Sequence, residues 1–234
     1  MGKNKLSRWA ELDSFNNVVQ PPFEEVFRKD YHLKGKWNEL FFRNNNPIAL
    51  ELGCGKGEYT VSLAQKFPDR NFLGIDIKGA RMWKGAGIAV AEGLTNVGFL
   101  RTRIELIGSF FCEDEISGIW ITFPDPQLKK RRNKKRLTGS KFLNIYNSFL
   151  KPGSLIHLKT DSRELYNYTN TLIEHNGLEV VAATDDLYSG GYSDEMLSIQ
   201  TFYEELFMEQ GKKITYTCFR LVPGKMISEP EKDE

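Results

Sequence analysis

Cysteine, histidine and long apolar runs are all scarce in this chain, and each scarcity removes a class of function. The three cysteines, Cys54, Cys112 and Cys218, are odd in number, far apart and never in a CxxC pair. That spacing argues against a disulfide framework or a structural zinc site and favours a reducing compartment. The three histidines, His32, His157 and His175, are scattered, and no His/Cys/Asp cluster has metal-ligand spacing, so no metal is expected. No GxSxG or Cys–His arrangement points to covalent catalysis. No apolar stretch approaches the roughly 18 residues of a membrane span. The opening MGKNKLSRWAELDSF has no apolar core of a secretory signal, and Leu6 stands where a myristoylation site needs Ser or Thr. Repeats and low-complexity tracts are absent. The reading is a cytoplasmic protein without membrane attachment, a monomer or homodimer.

What is present is unevenly distributed. The net charge is only +1, yet residues 129–136, KKRRNKKR, hold seven positive charges, so the rest of the chain sums to −6. A single basic block on an otherwise acidic chain suggests a local anionic partner.

Residues 1–46 are polar and interrupted by Pro21-Pro22 and by Asn44-Asn45-Asn46-Pro47. They read as a partly irregular, loosely packed extension with a short helix near 23–29 or 35–42. From residue 47 to 223, strands alternate with helices. Strands are predicted at 48–52, 71–76, 97–101, 117–123, 154–159, 178–184 and 214–222. Helices are predicted at 57–67, 79–93, 104–112, 138–149 and 162–175. This order gives an α/β fold, a doubly wound, mainly parallel seven-stranded sheet with helices on both faces. Residues 224–234 read as a polar, frayed tail. In such sheets ligands bind beyond the carboxyl ends of the strands, so the residues just after each strand are the ones to examine.

After the first strand comes Glu51-Leu52-Gly53-Cys54-Gly55-Lys56-Gly57. Three alternate glycines permit a tight turn and close approach of backbone to ligand. The second strand ends in Asp76, where a carboxylate can accept hydrogen bonds from both hydroxyls of a ribose. No lysine-serine pair follows the glycines, so a phosphate cradle is not indicated. Together these features point to a nucleoside-bearing cofactor held by Glu51, Gly53, Gly55, Gly57 and Asp76. After the fourth strand, Asp125 lies between Pro124 and Pro126, two residues that stiffen the backbone and present one carboxylate at the cleft mouth. The basic run begins four residues later, close enough to hold a phosphate backbone beside that cleft.

The segments ELGCGKGEYT, GIDIK, FPDPQLKKRRNKKRL, LKTD and TFYEELFMEQGKKI occur in this order between residues 48 and 222. Together they resemble the bacterial tRNA (guanine-N7)-methyltransferase family. The resemblance implies a Rossmann-like class I methyltransferase fold, S-adenosylmethionine as methyl donor and tRNA as partner, with the variable-loop guanine at position 46 as target. It further implies that Asp125 is catalytic, that Lys129, Asp161, Thr201 and Glu204 bind substrate, and that Arg131, Arg132, Lys134, Lys135 and Arg136 hold RNA. Two positions depart from the family pattern. Gln127 replaces a usual Trp, and Arg103 stands near where an acidic residue often faces adenine, so no adenine-recognising side chain is assigned.

Three of these positions have a second reading. Asp161-Ser162-Arg163-Glu164 and Thr201-Phe202-Tyr203-Glu204 both have capping-box spacing, so Asp161, Thr201 and Glu204 are either substrate ligands or helix caps. Tyr31, Trp37 and Tyr203 are candidates to stack on a base, and His157 reads as a satisfied core residue. Two rival functions share the same motifs: a methyltransferase acting on a small molecule, and an RNA-binding protein whose cofactor site has decayed.

Overall fold

A computed structural model describes residues 3–189 and 194–230. Residues 1–2 of the expected extension and 231–234 of the expected tail lie outside the described residues. The chain forms two compact units, divided between Ile116 and Ser117.

The first unit carries α1 (Lys3–Leu12), β1 (Val18–Val19), α2 (Phe23–Val26), a π-helical turn (Trp37–Phe42), β2 (Ile48–Leu52), α3 (Glu58–Lys66), β3 (Asn71–Asp76), α4 (Gly79–Ala91), β4 (Val97–Arg101) and a 3-10 turn (Ile104–Ser109). Its strands run in the order β1-β4-β3-β2, all parallel. All five residues of β2, Ile48 to Leu52, are buried, as expected for a parallel strand covered on both faces.

The N-terminal residues are less loose than the sequence suggests. Helix α1 packs on α4, and the Trp83 indole donates to the Glu11 carboxylate at 2.8 Å. Leu12, Val26, Leu33 and Trp37 are all buried. The Trp37 indole donates to the Phe110 carbonyl at 2.8 Å, which makes Trp37 a core residue and removes it from the stacking candidates. The Asn44–Pro47 loop is tied to fully buried Asn71, whose amide donates to Asn44 Oδ1 at 2.7 Å and to Asn38 Oδ1 at 3.0 Å.

The second unit carries all but the first residue of β5 (Ile116–Thr122), and then a 3-10 turn (Lys130–Lys135), α5 (Ser140–Asn147), β6 (Leu150–Thr160), α6 (Arg163–His175), β7 (Glu179–Thr184), α7 (Phe202–Glu209) and β8 (Thr215–Arg220). Its strand order is β5-β6-β8-β7, and β8 runs antiparallel to both of its neighbours. Ile119, Ile121, Leu143, Tyr146, Ile156, Leu158, Leu172 and Phe219 form its core. The outer strand β7 carries a bulge between Val180 and Ala182, a feature that discourages edge-to-edge pairing.

The described residues thus contain eight strands, where the sequence reading gives seven. The additional one is β1, whose two residues are too few to show a period. The C-terminal segment also departs from a frayed tail. Ile227 is buried, its amide donates to Asn144 Oδ1 at 2.8 Å, and the Ser228 amide donates to Asn176 Oδ1 at 2.9 Å.

His157, in β6, stacks on Trp120 with ring centroids 3.8 Å apart and lies 2.8 Å from the Tyr216 hydroxyl through Nδ1. Burial pushes its pKa down to about 3. The unfolded chain therefore takes up a proton near pH 6.5, well before the folded one. Stability from this residue is complete above that pH and drains below it, by at most about 1.4 kcal/mol per pH unit. The melting temperature should fall as the pH drops from neutral towards about 5. In His157→Asn calorimetry should show a shallower fall, and an unchanged slope would remove His157 from the acid transition.

Candidate active site

In the first unit, the turn from β2 into α3 has Gly53, Gly55 and Gly57 all in the left-handed region, with φ of 78°, 57° and 72°. The amides of Gly53 and Cys54 both donate to the Ile75 carbonyl, at 2.7 and 3.1 Å. Asp76 closes the turn. Its Oδ2 accepts from the Gly55 amide at 2.9 Å and its Oδ1 from the Lys78 amide at 2.8 Å. Each carboxylate oxygen has a further acceptor site, so both can still take a ribose hydroxyl.

Glu51 lies 3% exposed and accepts a hydrogen bond from the Thr60 hydroxyl of α3. It is not a solvated strand-end charge, because α3 brings Thr60 to it. The sequence offered no signal for Thr60. The Cys54 thiol is pushed well up, first by burial and then by the charges of Glu51 and Asp76, so it stays protonated.

The turn fits an adenosine-bearing cofactor. A Cβ on Gly55 would meet nothing closer than the Gly53 carbonyl oxygen at 3.9 Å, so the space above the loop is open. Gly57 is the opposite case, since a Cβ there would sit 2.5 Å from Phe99 Cε1 and 2.8 Å from Cζ. Gly57→Ala should cost about 1–3 kcal/mol through left-handed strain and overpacking. Calorimetric titration should show S-adenosylmethionine affinity lowered by roughly tenfold or more, as the loop shifts to relieve about 1.4 kcal/mol of that strain. Wild-type affinity would mean that this turn does not hold the cofactor.

In the second unit, the Pro-Asp-Pro segment is bracketed by two strained residues. Phe123 has φ of 47° and Gln127 of 51°, left-handed values that cost non-glycine residues on the order of 1–3 kcal/mol each. Three contacts hold the segment in place. The Phe123 amide donates to the Lys159 carbonyl at 2.8 Å, the Gln127 amide to Asp125 Oδ1 at 3.1 Å, and Arg136 Nε to the Pro126 carbonyl at 3.2 Å. Asp125 itself is exposed. Gln127, at the position of a family Trp, has its side-chain oxygen buried with no hydrogen-bond partner among the described residues.

The basic run is a 3-10 turn. Lys129, Arg131, Arg132, Lys134 and Lys135 are exposed, and none forms an ion pair among the described residues. Arg136 differs from them. It is 9% exposed, and its guanidinium lies 4.2 Å from the Tyr168 ring centroid. Expected to hold RNA, Arg136 is instead turned into the protein by its bond to Pro126 and its stacking on Tyr168.

Asp161 does not cap α6. Ser162 does, accepting from the Leu165 amide at 3.2 Å. Asp161 keeps a partly exposed side chain whose Oδ2 pairs with Lys212 at 2.6 Å. Thr201 and Glu204 form a complete capping box for α7. Glu204 is fully buried, and its carboxylate also pairs with fully buried Lys159, at 2.8 Å to Oε1 and 3.0 Å to Oε2, and accepts from the Tyr188 hydroxyl. Lys159 further donates to the carbonyls of Ile199 at 3.1 Å and Leu197 at 3.3 Å. Thr201 and Glu204, expected to bind substrate, are thus engaged in the helix cap and, for Glu204, with Lys159 and Tyr188. The Thr201 hydroxyl accepts within the helix cap, and the fully buried Glu204 carboxylate accepts from the cap, from Lys159 and from Tyr188. Lys159, a fully buried charge near the end of β6, is the partner that gives the Thr201–Glu204 spacing its meaning. No cluster of three or more His, Cys, Asp or Glu that could hold a metal occurs among the described residues.

Comparison with known proteins agrees with the fold and with the ordered motifs. Residues 45–217 match a family model described as a putative methyltransferase. A tRNA (guanine-N(7)-)-methyltransferase of Christiangramia forsetii is 54% identical over 220 residues, covering 94% of this chain and 98% of that protein. One from Bacteroides thetaiotaomicron is 48% identical over 231 residues, covering 99% of this chain and 91% of that protein. Among solved structures, the 16S rRNA methyltransferase KamB aligns with a TM-score of 0.62 at 13% identity, covering 84% of this chain and 96% of that one, which shows a shared fold. The chain belongs to the tRNA (guanine-N7)-methyltransferase family.

Proposed function

We propose that this protein transfers a methyl group from S-adenosylmethionine to N7 of a guanine in tRNA, at position 46 of the variable loop. It does so in the cytoplasm, as a monomer or homodimer, with residues 47–223 as the methyltransferase domain. Family membership supports the reaction and its substrate class. The single structural observation that best supports the substrate side is Asp125. This carboxylate is exposed on a strained, bonded loop immediately before five exposed cations without ion-pair partners.

The cofactor, when bound, supplies an electrophilic methyl group on a positively charged sulfur. Gly53, Gly55 and Gly57 would let the backbone approach it, Asp76, which already accepts from the Gly55 amide, would accept from its ribose hydroxyls, and Glu51 steadies the turn through its hydrogen bond from Thr60. Guanine N7 has a lone pair at neutral pH, so no side chain need remove a proton from it. Alkylation leaves positive charge on the purine, which the Asp125 carboxylate stabilises. Asp161, whose Oδ2 pairs with Lys212, offers its other carboxylate oxygen to the base. Lys129, Arg131, Arg132, Lys134 and Lys135 hold phosphates, giving affinity and salt sensitivity with little sequence information. The target base leaves its stack within the folded tRNA at a modest cost.

The test is label transfer from S-adenosylmethionine to two tRNA transcripts, one wild type and one with guanine 46 replaced by adenine. Incorporation into the first alone is expected. Equal incorporation into both would overturn the position. Incorporation into neither, with activity on a small acceptor that persists when the basic run is neutralised, would overturn the substrate class.

A further inference from the structure

Arg136 closes the basic run in sequence but leaves it in space. Its Nε donates to the Pro126 carbonyl at 3.2 Å, one residue beyond Asp125, and its guanidinium plane faces the Tyr168 ring at 4.2 Å. Tyr168 is fixed from the other side, where its hydroxyl donates to the Glu229 carboxylate at 2.9 and 3.1 Å. Glu229 also accepts from the Ser140 amide at 3.0 Å, at the start of α5. The stack has little slack. A Cβ on Gly139 would lie 3.0 Å from the Tyr168 hydroxyl and 3.1 Å from the Arg136 carbonyl. Burial, followed by Glu229, raises the Tyr168 pKa, so the phenol keeps the proton it donates.

The loop at the end of this series is strained at both of its ends. Phe123 and Gln127 are both left-handed, and Gln127 has an orphaned buried oxygen. Backbone strain of this kind persists only where neighbouring contacts over-determine it. Among the described residues, the Pro126 carbonyl accepts from the Arg136 side chain.

We propose that Arg136 is a positioning residue for Asp125 rather than an RNA-phosphate contact. It fixes the Pro-Asp-Pro loop through the Pro126 carbonyl and is itself held by Tyr168, which the C-terminal Glu229 secures. The C-terminal segment thus sets the geometry of the reacting carboxylate. The inference rests on the reading of Asp125 given above.

A planar guanidinium is required at this site. Lysine keeps the charge but loses both the Nε donor and the stacking face. Displacement of a reacting group by about 1 Å can lower turnover by roughly 10²-fold. The experiment compares Arg136→Lys, Tyr168→Phe and Glu229→Gln with Lys135→Gln, reading kcat, KM for tRNA and the salt dependence of tRNA binding. Each lost phosphate contact lowers the slope of log affinity against log salt by about 0.7–0.9. Lys135→Gln should show that loss together with a raised KM. Arg136→Lys should keep the wild-type slope and KM and lose roughly 10- to 100-fold in kcat. Tyr168→Phe and Glu229→Gln, milder changes, should lose kcat by about three- to tenfold with KM and slope again unchanged, consistent with one weakened hydrogen bond.

A lowered slope in Arg136→Gln, measured alongside, would restore Arg136 to the RNA surface and overturn the proposal. So would wild-type kcat in both Tyr168→Phe and Glu229→Gln, since Arg136 would then act without its support. Asp125→Asn, assayed in parallel, separates the two levels. If it turned over at the wild-type rate, the Asp125 reading would fail, while the salt slopes would still report whether Arg136 meets phosphate.

Discussion

Asp125→Asn is expected to lower the turnover of tRNA methylation by about 10²–10³-fold, the typical cost of removing one charge-stabilising group from an active site. Asparagine retains a side-chain oxygen able to accept from the Gln127 amide, so the local turn survives and only the charge is lost. Affinity for S-adenosylmethionine should stay unchanged, because the residues proposed to hold it belong to the first unit. KM for tRNA should change little, because the exposed cations are proposed to supply most of the RNA affinity. A fall in kcat at constant KM is the signature of an interaction made only in the transition state. A raised KM with normal kcat would instead make Asp125 a plain binding residue.

The second large effect concerns stability. Glu204→Ala leaves the fully buried Lys159 ammonium without its carboxylate, and breaking a buried pair in this way costs about 3–5 kcal/mol. It also removes half of the α7 capping box. Chemical denaturation should show a matching loss, with the 3–5 kcal/mol shared by Lys159→Ala rather than added when both are removed, because neighbours in one network are non-additive. Lys159→Met with Glu204→Leu should recover much of the loss, since apolar replacement of a buried pair is often neutral or better. If Glu204 were a guanine ligand, its removal would reduce activity on tRNA and leave the denaturation midpoint where it was.

These two residues also show where the sequence is legible and where it is not. The strand ends of β2, β3 and β5 could be read directly, because buried parallel strands are continuous apolar runs and their ends are marked by glycine or proline. Asp76 and Asp125 follow from that placement. Glu204 does not. The Thr201–Glu204 spacing correctly signals a cap, but its meaning depends on Lys159, 45 residues earlier in β6. Only the tertiary fold brings them together. Asp161 errs in the other direction. Its spacing to Glu164 is that of a cap, yet the chain starts α6 one residue later, and Ser162 takes the cap.

The burial of Arg136 is illegible for a different reason. Seven cations in eight positions look equivalent as charge, and nothing local marks the last as buried. Its partners, Tyr168 and Glu229, lie on α6 and near the C-terminus, and that C-terminal segment reads as a polar tail. Helix α1 and strand β1 were missed because the first is mostly polar and the second has two residues. The antiparallel course of β8 leaves no mark in an apolar period, which is the same for either direction.

The most direct test of the account is where the methyl group goes. Unmodified tRNA transcript would be incubated with the protein and labelled S-adenosylmethionine, then cleaved chemically at N7-methylguanine. The account predicts label in the tRNA and a single cleavage in the variable loop, at position 46. Label in the tRNA without cleavage at any N7-methylguanine would contradict it, because the methyl group would then be on another atom.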